Sequence, residues 1–216
     1  MIEQKFVTTT PSHRNATNLF ADRWASDLSE LAPGLKAGGL PGFRADPRPG
    51  QAAAHLGVDG RLDGYKVLEL GPLEGAHTFQ LEAPGPRYDL IFCCGILYHM
   101  LDPLVLLRLA AARTDRIFIW THDFREERRS RQHTSHVVEH EGLRLSLHEF
   151  AYNDRGPATF WGRNRDRTRW MELPDLIRVL AHHGLSETTI IADDPNFVNG
   201  PAVTVAAQRP GATPPA

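Results

Sequence analysis

Short apolar segments that end at turn residues recur through the middle of the chain. Tyr65–Leu70, Tyr88–Cys93 and Arg116–Thr121 are each followed within two residues by glycine or histidine. Such segments are typical of buried parallel strands. Between the last two, Asp102 is placed to cap a helix that begins at Pro103. The alternation of strand, helix and strand predicts a Rossmann-like, doubly wound α/β sheet.

The C-terminal third continues this alternation. A helical pattern opens at Leu173 and ends at Gly184, and Thr188–Ala192 and Ala202–Ala207 follow as two strands. Before the helix, the alternating residues of Leu143–Glu149 predict a strand or hairpin added to the core. We therefore expect a mostly parallel sheet of about five core strands with a β-containing insertion.

The N-terminal part of the chain has a different character. One apolar stripe with helical spacing predicts a helix of roughly four turns. Its members are Phe20, Trp24, Leu28 and Leu31. Proline and glycine then interrupt the pattern as far as Gly60, with a short helix expected around Gln51–Leu56.

These patterns divide the chain into three parts. Residues 1–60 are expected to form a helical and irregular segment packed on the core. Residues 61–208 are expected to form the α/β domain, with residues 123–170 as its insertion. Residues 209–216 are rich in proline and small residues, which predicts a disordered tail.

Composition narrows the possible partners. The 216 residues carry 24 basic and 26 acidic side chains, a formal charge of −2, so no positive field attracts nucleic acid or an anionic membrane. No apolar run approaches the roughly 18 residues that span a bilayer. The first residues lack the apolar core of a signal peptide, and the two cysteines are adjacent, which predicts a cytoplasmic protein without disulfides. The oligomeric state is left open.

The stretch Val67–Thr78 is the strongest local signal for a ligand. An apolar strand with Glu69 near its end is followed by Gly71 and, four residues later, by Gly75 at the start of a helix. Glycine lacks a Cβ, so the backbone there can approach a ligand closely. A plain tight turn is the alternative interpretation.

A second motif follows the next strand, and the two motifs together are more specific than either one alone. Tyr88-Asp89, Gly95-Ile96-Leu97-Tyr98-His99 and Asp102-Pro103 follow in order along one strand and its loop. Together with the glycine motif, this sequence resembles the class I S-adenosylmethionine-dependent methyltransferases. The resemblance covers residues 60–122 and 170–208.

The resemblance implies a cofactor site. Gly71, Pro72 and Gly75 would line the methionine part of S-adenosylmethionine, with Glu69 contacting its amino group. In the same way, Gly95, Leu97 and Tyr98 would form the floor beside the sulfonium.

Two histidines are candidate catalytic residues. Methyl transfer from a sulfonium depends mainly on in-line positioning, so few catalytic groups are needed. His99 is a candidate to accept a proton from the substrate, because imidazole titrates near neutrality. Its alternative role is to satisfy backbone groups at the strand end. His122 directly follows a strand and is also placed to meet a substrate.

The chain between the two motifs is short. The resembled family has two further strand–helix units there, whereas this sequence has only seventeen residues from Gly71 to Arg87. The missing units amount to roughly 40 to 50 residues. They would carry the acidic residue for the ribose and the loop for adenine. We therefore expect cofactor binding to be impaired.

Two further patterns in the insertion have alternative interpretations. His133, His136 and His140 fall on one face if the segment is helical, but no recognised ligand pattern is completed and no metal site is predicted. Residues 161–170 alternate arginine with other residues between two tryptophans. That strip either binds a phosphate or carboxylate of the substrate or is an exposed, acid-balanced loop.

The sequence is compatible with three functions to different degrees. The leading hypothesis is methyl transfer from S-adenosylmethionine to an unknown small molecule. The alternative is a non-catalytic binding or interaction module on a degenerate methyltransferase scaffold. A nucleotide-binding oxidoreductase fits less well, because the glycine motif lacks the G-x-G-x-x-G spacing.

Overall fold

The computed structural model describes residues 46–70, 88–151 and 167–215. The chain divides into two compact units, residues 1–49 with 72–81 and residues 50–71 with 82–216. In the first unit only residues 46–49 are described, and there Arg48 Nε donates to Asp46 Oδ1 at 2.8 Å. Everything below concerns the second unit, except that the first helix begins at Arg48.

The regular elements follow one another in this order: α1 (Arg48–Leu56), β1 (Val67–Leu70), β2 (Leu90–Cys94), a 3₁₀ turn (Leu97–His99), α2 (Pro103–Ala111), β3 (Arg116–His122), a second 3₁₀ turn (Glu126–Arg128), β4 (His133–His140), β5 (Leu143–Ala151), β6 (Arg167–Met171), α3 (Leu173–His182), β7 (Glu187–Asp194) and β8 (Ala202–Gln208).

The main sheet has five strands in the order β1-β2-β3-β8-β7. β1, β2 and β3 pair in parallel, and β8 is antiparallel to both of its neighbours, so β7 runs in the same direction as β1 to β3. The predicted α/β sheet of about five mostly parallel strands is confirmed. Its register places Cys94 opposite Trp120 and His122 opposite Ala202.

The predicted helix boundaries are set by local chemistry. Asp102 Oδ1 accepts a hydrogen bond from Val105 N at 3.2 Å, which caps α2 as expected, and Pro103 occupies its first position. After α3, Gly184 has a φ of +88°, a left-handed conformation that ends a helix readily only at glycine. The short helix expected around Gln51–Leu56 is α1, which begins three residues earlier.

A second sheet of three antiparallel strands has the order β4-β5-β6. The predicted strand around Leu143–Glu149 is confirmed as β5, paired with β4. The helical interpretation of His133, His136 and His140 is wrong, because these residues lie on β4. Successive strand residues point to opposite faces, so His136 and His140 share a face that His133 does not.

The two sheets share one apolar core. Leu145, Leu147 and Met171 of the second sheet join Ile117 and Ile119 of β3 in a single buried cluster. Helices α2 and α3 cover it, contributing Leu104, Leu107, Leu176, Val179 and Leu180. Phe92 of β2 and Phe118 of β3 are fully buried, and their rings stack with centroids 5.1 Å apart.

Some predictions fall outside the described residues. The N-terminal helix and the glycine motif after β1 are among them, and so is most of the arginine strip. β1 is the edge strand of the described sheet. The absence of two strand–helix units, the domain boundaries and the disordered tail remain predictions. No helix in residues 46–70, 88–151 or 167–215 is both long and apolar enough to cross a membrane.

Candidate active site at the carboxyl edge of the sheet

The carboxyl ends of β1, β2 and β3 meet at one edge, where ligands bind in sheets of this kind. Glu69 lies in β1, one residue before its end, and is partly buried. After β2, Gly95 has a φ of +77° and its N–H donates to Trp120 O at 3.1 Å. This turn starts the 3₁₀ segment that carries Leu97, Tyr98 and His99. Gly71, Pro72 and Gly75 lie outside the described residues.

The two predicted catalytic histidines both contact the ring of Tyr98. The centroid of Tyr98 lies 4.2 Å from that of His99 and 4.5 Å from that of His122. Leu97 is 2% exposed, which anchors the 3₁₀ segment in the core. The structure therefore places Tyr98, His99 and His122 at one site, although 23 residues separate the two histidines in sequence.

His122 is held in one tautomer by the loop before β8. Its Nδ1 lies 3.1 Å from Gly200 O and 3.0 Å from Pro201 O. Both partners are carbonyl oxygens, so Nδ1 must carry the proton and Nε2 is the acceptor in the neutral ring. Nε2 has no hydrogen bond to any described residue. Burial lowers the pKa of His122, against the opposing effect of the two carbonyls. The neutral form, with a lone pair on Nε2, is favoured.

Aromatic rings surround His122. Trp170 of β6 stacks on it at a centroid distance of 5.2 Å and an interplanar angle of 15°, and Trp120 and Phe197 lie 5.4 and 5.8 Å away. We call this group the aromatic cluster; its members are Tyr98, Trp120, His122, Trp170 and Phe197. The sequence had marked Trp170 only as the end of the arginine strip and gave no signal for Phe197, which lies in the β7–β8 connection.

A cavity of about 10 Å³ lies against the aromatic cluster. Its lining residues are Leu97, Tyr98, Thr121, His122, Asp123, Arg169, Trp170, Met171 and Leu176. Two buried donors of these residues, Trp170 Nε1 and Arg169 Nε, have no hydrogen-bond partner in the described part of the chain, although Arg169 Nε lies 3.6 Å from the Glu149 carboxylate. A space of this size holds about one water molecule or hydroxyl group. An oxygen-bearing ligand would supply the acceptors that these donors lack.

The described end of the arginine strip is paired with an acid. Arg167 Nη1 lies 3.2 Å from Glu149 Oε1, and Arg169 Nε lies 3.6 Å from Glu149 Oε2. The partner is across the strand pair, since Glu149 is opposite Arg169 in the β5–β6 register. These two arginines are therefore balanced by a carboxylate.

A larger open cleft of about 360 Å³ adjoins the cavity at Asp123. Asp123 is 3% exposed, burial raises its pKa, and it accepts a hydrogen bond from Arg125 Nε at 2.9 Å. Arg125 also contacts Asp193. The lining residues are Asp123, Phe124, Arg125, Glu126, Glu127, Glu172, Leu173, Pro174 and Asp193. This cleft is lined by five carboxylates and one guanidinium, so it is unfavourable for anions.

Comparison with known proteins gives a structural likeness. No protein-family model and no curated protein sequence matches the chain. The solved N-terminal domain of EvdMO1 matches with a TM-score of 0.59 in its complex with SAH and 0.58 in the presence of SAH and D-fucose. Both matches have 19% identity and cover 82% of this chain, and 89% and 88% of that domain.

A weaker likeness is to the 1,6-didemethyltoxoflavin-N1-methyltransferase of Burkholderia thailandensis, with a TM-score of 0.44, 14% identity and 78% of each chain covered. Identities of this size support a likeness of fold only. The EvdMO1 domain is matched over most of its length. The chain has the predicted Rossmann-like α/β fold, with a main sheet that is mostly parallel in the described residues.

Proposed function

We propose that this chain is an S-adenosylmethionine-dependent methyltransferase in which His122 is the general base for a small-molecule acceptor. The observation that carries the proposal is the hydrogen bonding of His122. Two backbone carbonyls hold the proton on Nδ1, which leaves Nε2 as a proton acceptor on a residue that lines a small cavity. A base oriented in this way by a third group is the arrangement that activates a nucleophile in many transferases and hydrolases.

The residues of the carboxyl edge fit the cofactor. Leu70 and Cys93 are opposite each other in the register, so the carboxyl ends of β1 and β2 are neighbours at one edge of the sheet. Among the described atoms, only the Tyr98 hydroxyl, at 3.8 Å, lies within 4 Å of a Cβ added at Gly95, so a ligand can approach the backbone there. We assign Glu69, Gly71, Pro72 and Gly75 to one side of the cofactor and Gly95, Leu97 and Tyr98 to the other. When bound, the cofactor supplies an electrophilic methyl group on a sulfonium.

The chain's own residues then bind, orient and deprotonate the acceptor. His122 Nε2 would accept the proton from an acceptor hydroxyl or amine, and the bound cofactor would supply the methyl group, with S-adenosylhomocysteine as the leaving group. Asp123 and its acidic neighbours favour a neutral or cationic molecule over an anion. The partly exposed rings of Trp120 and Phe197 provide apolar surface beside His122. Trp170 is 6% exposed and stacks on both His122 and Phe150, and its Nε1 has no acceptor among the described residues.

These features suit a small polyhydroxylated ring, whose C–H faces pack on aromatic rings and whose hydroxyls need donors. The EvdMO1 domain was crystallised in the presence of D-fucose, which is a molecule of this class. We infer a neutral, hydroxylated small molecule as the acceptor class for this chain.

Calorimetry with S-adenosylhomocysteine tests cofactor binding. Heat at micromolar ligand supports the proposal, and Gly71→Val should abolish it by blocking close approach of the backbone. The matched control is Gly50→Val, because an added Cβ at Gly50 of α1 meets nothing within 4 Å. Equal binding by the Gly71→Val variant would contradict the placement of the cofactor.

A second function, a non-catalytic binding module on a degenerate methyltransferase scaffold, is favoured by the short sequence between the two motifs. Seventeen residues replace the two strand–helix units that would hold ribose and adenine in the resembled family. The absence of heat at millimolar S-adenosylhomocysteine, with the protein folded by circular dichroism, would favour this module over the enzyme.

A further inference from the structure

A group of potential metal ligands lies where the β4–β5 hairpin meets the end of α3. His140 and Glu141 belong to the hairpin and His183 follows the helix. Each residue offers one ligand atom, and these atoms all lie within 4.8 Å of one another. We call this group the His140–Glu141–His183 cluster.

The backbone on both sides of the cluster is fixed. His140 pairs with Leu143 across the hairpin, and the two residues between them, Glu141 and Gly142, have φ values of +48° and +84°. This is a two-residue turn of the type that matches strand twist, although glutamate is an unusual occupant of a left-handed position. On the other side, His183 N donates to Val179 O at 3.1 Å as the helix ends.

Both imidazoles of the cluster carry a polar atom that no described residue satisfies. Nε2 of His140 and Nε2 of His183 are buried and have no hydrogen-bond partner in residues 46–70, 88–151 and 167–215. The side chain of His183 is only 10% exposed. Buried polar nitrogens without partners are unfavourable, and a ligand that accepted their lone pairs would remove this cost.

The Glu141 carboxylate is close to several groups but bonded directly to none of them. Oε2 lies 3.6 Å from His182 Nε2 and 3.9 Å from His183 Nδ1, and Oε1 lies 3.8 Å from Arg108 Nε. All three distances exceed those of direct hydrogen bonds. The Glu141 side chain is 47% exposed, so it is free to rotate toward an ion.

The Arg108 guanidinium opposes a bound cation, but it also offers a partner for the carboxylate oxygen that does not coordinate.

We propose that the His140–Glu141–His183 cluster binds a zinc-like divalent transition metal ion that ties the β4–β5 hairpin to the end of α3. Two imidazoles and one carboxylate are ligands that Zn²⁺ accepts, whereas Mg²⁺ and Ca²⁺ prefer sets made of oxygens. Tetrahedral coordination separates ligand atoms by about 3.4 Å, so the cluster must contract on binding. The remaining position is open to water.

The role of this ion is structural. α3 begins two residues after Met171, which lines the cavity of the active site, and ends at His182. Its ten residues separate the two sites by about 15 Å along the helix. An ion at the far end holds the second sheet against the core without contacting the reacting groups.

The test uses the full chain without a histidine tag, after bound metal has been removed with EDTA. The protein is titrated with ZnCl₂ by calorimetry, and its thermal unfolding is then measured with and without zinc. We expect one ion per chain and a higher Tm with zinc, and no such shift with Mg²⁺. Glu141→Gln and His183→Ala should each weaken zinc affinity by at least about tenfold. His136→Ala is the matched control, because His136 is exposed on the same strand.

Two results would overturn the proposal. One is the absence of zinc binding by the wild-type chain. The other is zinc binding by Glu141→Gln and His183→Ala that equals binding by His136→Ala, since the ion would then be held elsewhere. Glu141→Gln changes an exposed side chain without altering its size, so it keeps the test valid if His183→Ala unfolds. A tetrahedral Co²⁺ absorption spectrum that disappears in Glu141→Gln would support the site independently.

Discussion

His122 at the end of β3 stacks on Trp170 of β6, with ring centroids 5.2 Å apart and planes 15° from parallel. This single pair joins the main sheet to the second sheet at the proposed active site. Near it, Thr168 of β6 donates from its hydroxyl to Met100 O at 3.2 Å and also contacts Tyr98 O. The second sheet therefore forms one wall of the site and fixes the loop after β2 that carries Tyr98.

Replacing His122 tests its role as the base. His122→Ala should lower kcat for methyl transfer by about 10²- to 10⁴-fold, because the proton acceptor is lost. Transfer of label from radioactive S-adenosylmethionine to neutral hydroxylated small molecules, D-fucose included, measures this. Because burial lowers the pKa of His122, kcat/KM should rise with pH around an apparent pKa below about 6.5 and then level off. Full activity in His122→Ala would show that another group, such as His99, is the base.

Gly200 holds the loop that orients His122, and an added methyl group there should disturb the site. Its φ is +128°, and a Cβ would lie 2.9 Å from Trp170 Cη2 and 3.7 Å from His122 Nδ1. We expect Gly200→Ala to move Trp170 and lower kcat, with a change in tryptophan fluorescence. The control is Gly211→Ala, since Gly211 also has a positive φ of +71° but nothing within 4 Å of an added Cβ. Equal kcat in the two variants would mean that Gly200 does not position His122.

Acidification should destabilise the protein through its buried histidines. Burial is the largest influence on His122, His133, His148 and His183, and it lowers each pKa in the folded state. As the pH falls through about 6.5, the unfolded chain therefore binds more protons than the folded chain. The stability that is present above that pH is lost progressively until the pH reaches the pKa values of the folded state. Asp123 has a raised pKa and acts in the opposite direction, but only nearer its own lower range.

Urea unfolding at pH 7.5 and pH 5.5 checks this expectation. The free energy of unfolding should be lower at pH 5.5, and His133→Asn should show a smaller difference between the two conditions. Equal or greater stability at pH 5.5 would contradict the direction of the histidine shifts.

The Phe92–Phe118 pair should dominate the stability of the main sheet. Both rings are fully buried, and their centroids are 5.1 Å apart. Phe118→Ala removes a large apolar ring and leaves a cavity, which should lower the free energy of unfolding by about 3–5 kcal/mol in urea titrations. Val198 is 84% exposed, so Val198→Ala should change it by less than about 0.5 kcal/mol. An average point mutation lowers the free energy of unfolding by about 1 kcal/mol. A smaller decrease in Phe118→Ala would show that the pair is not central to the core.

The fold could be read from the sequence where the signals are local. Asp102 caps α2 through a hydrogen bond three residues away, and Gly184 ends α3 with its own backbone conformation. The helical interpretation of β4 was wrong because spacing alone does not report pairing. Alternation in β5 predicted a strand, and pairing with β5 made β4 a strand as well.

The candidate site could be located but not described from the sequence. Turn signals after each strand placed Glu69, Gly95 and His122 at one edge of a sheet. They could not show that His122 Nδ1 bonds to Gly200 O, 78 residues further on, or that Trp170 stacks on the same ring. The same limit applies to His140 and His183, which no spacing rule connects.

Strand and helix positions depend on apolar periodicity, capping and glycine conformations, which act between residues a few positions apart. The sequence by itself therefore determined the fold class, most strands of the main sheet and the two helices that cover its core. Hydrogen-bond partners, ring stacking and unsatisfied buried nitrogens depend on which distant segments pack together. Only the tertiary structure decided the tautomer of His122, the aromatic walls around it and the His140–Glu141–His183 cluster, because each arises where segments far apart in sequence are buried against one another.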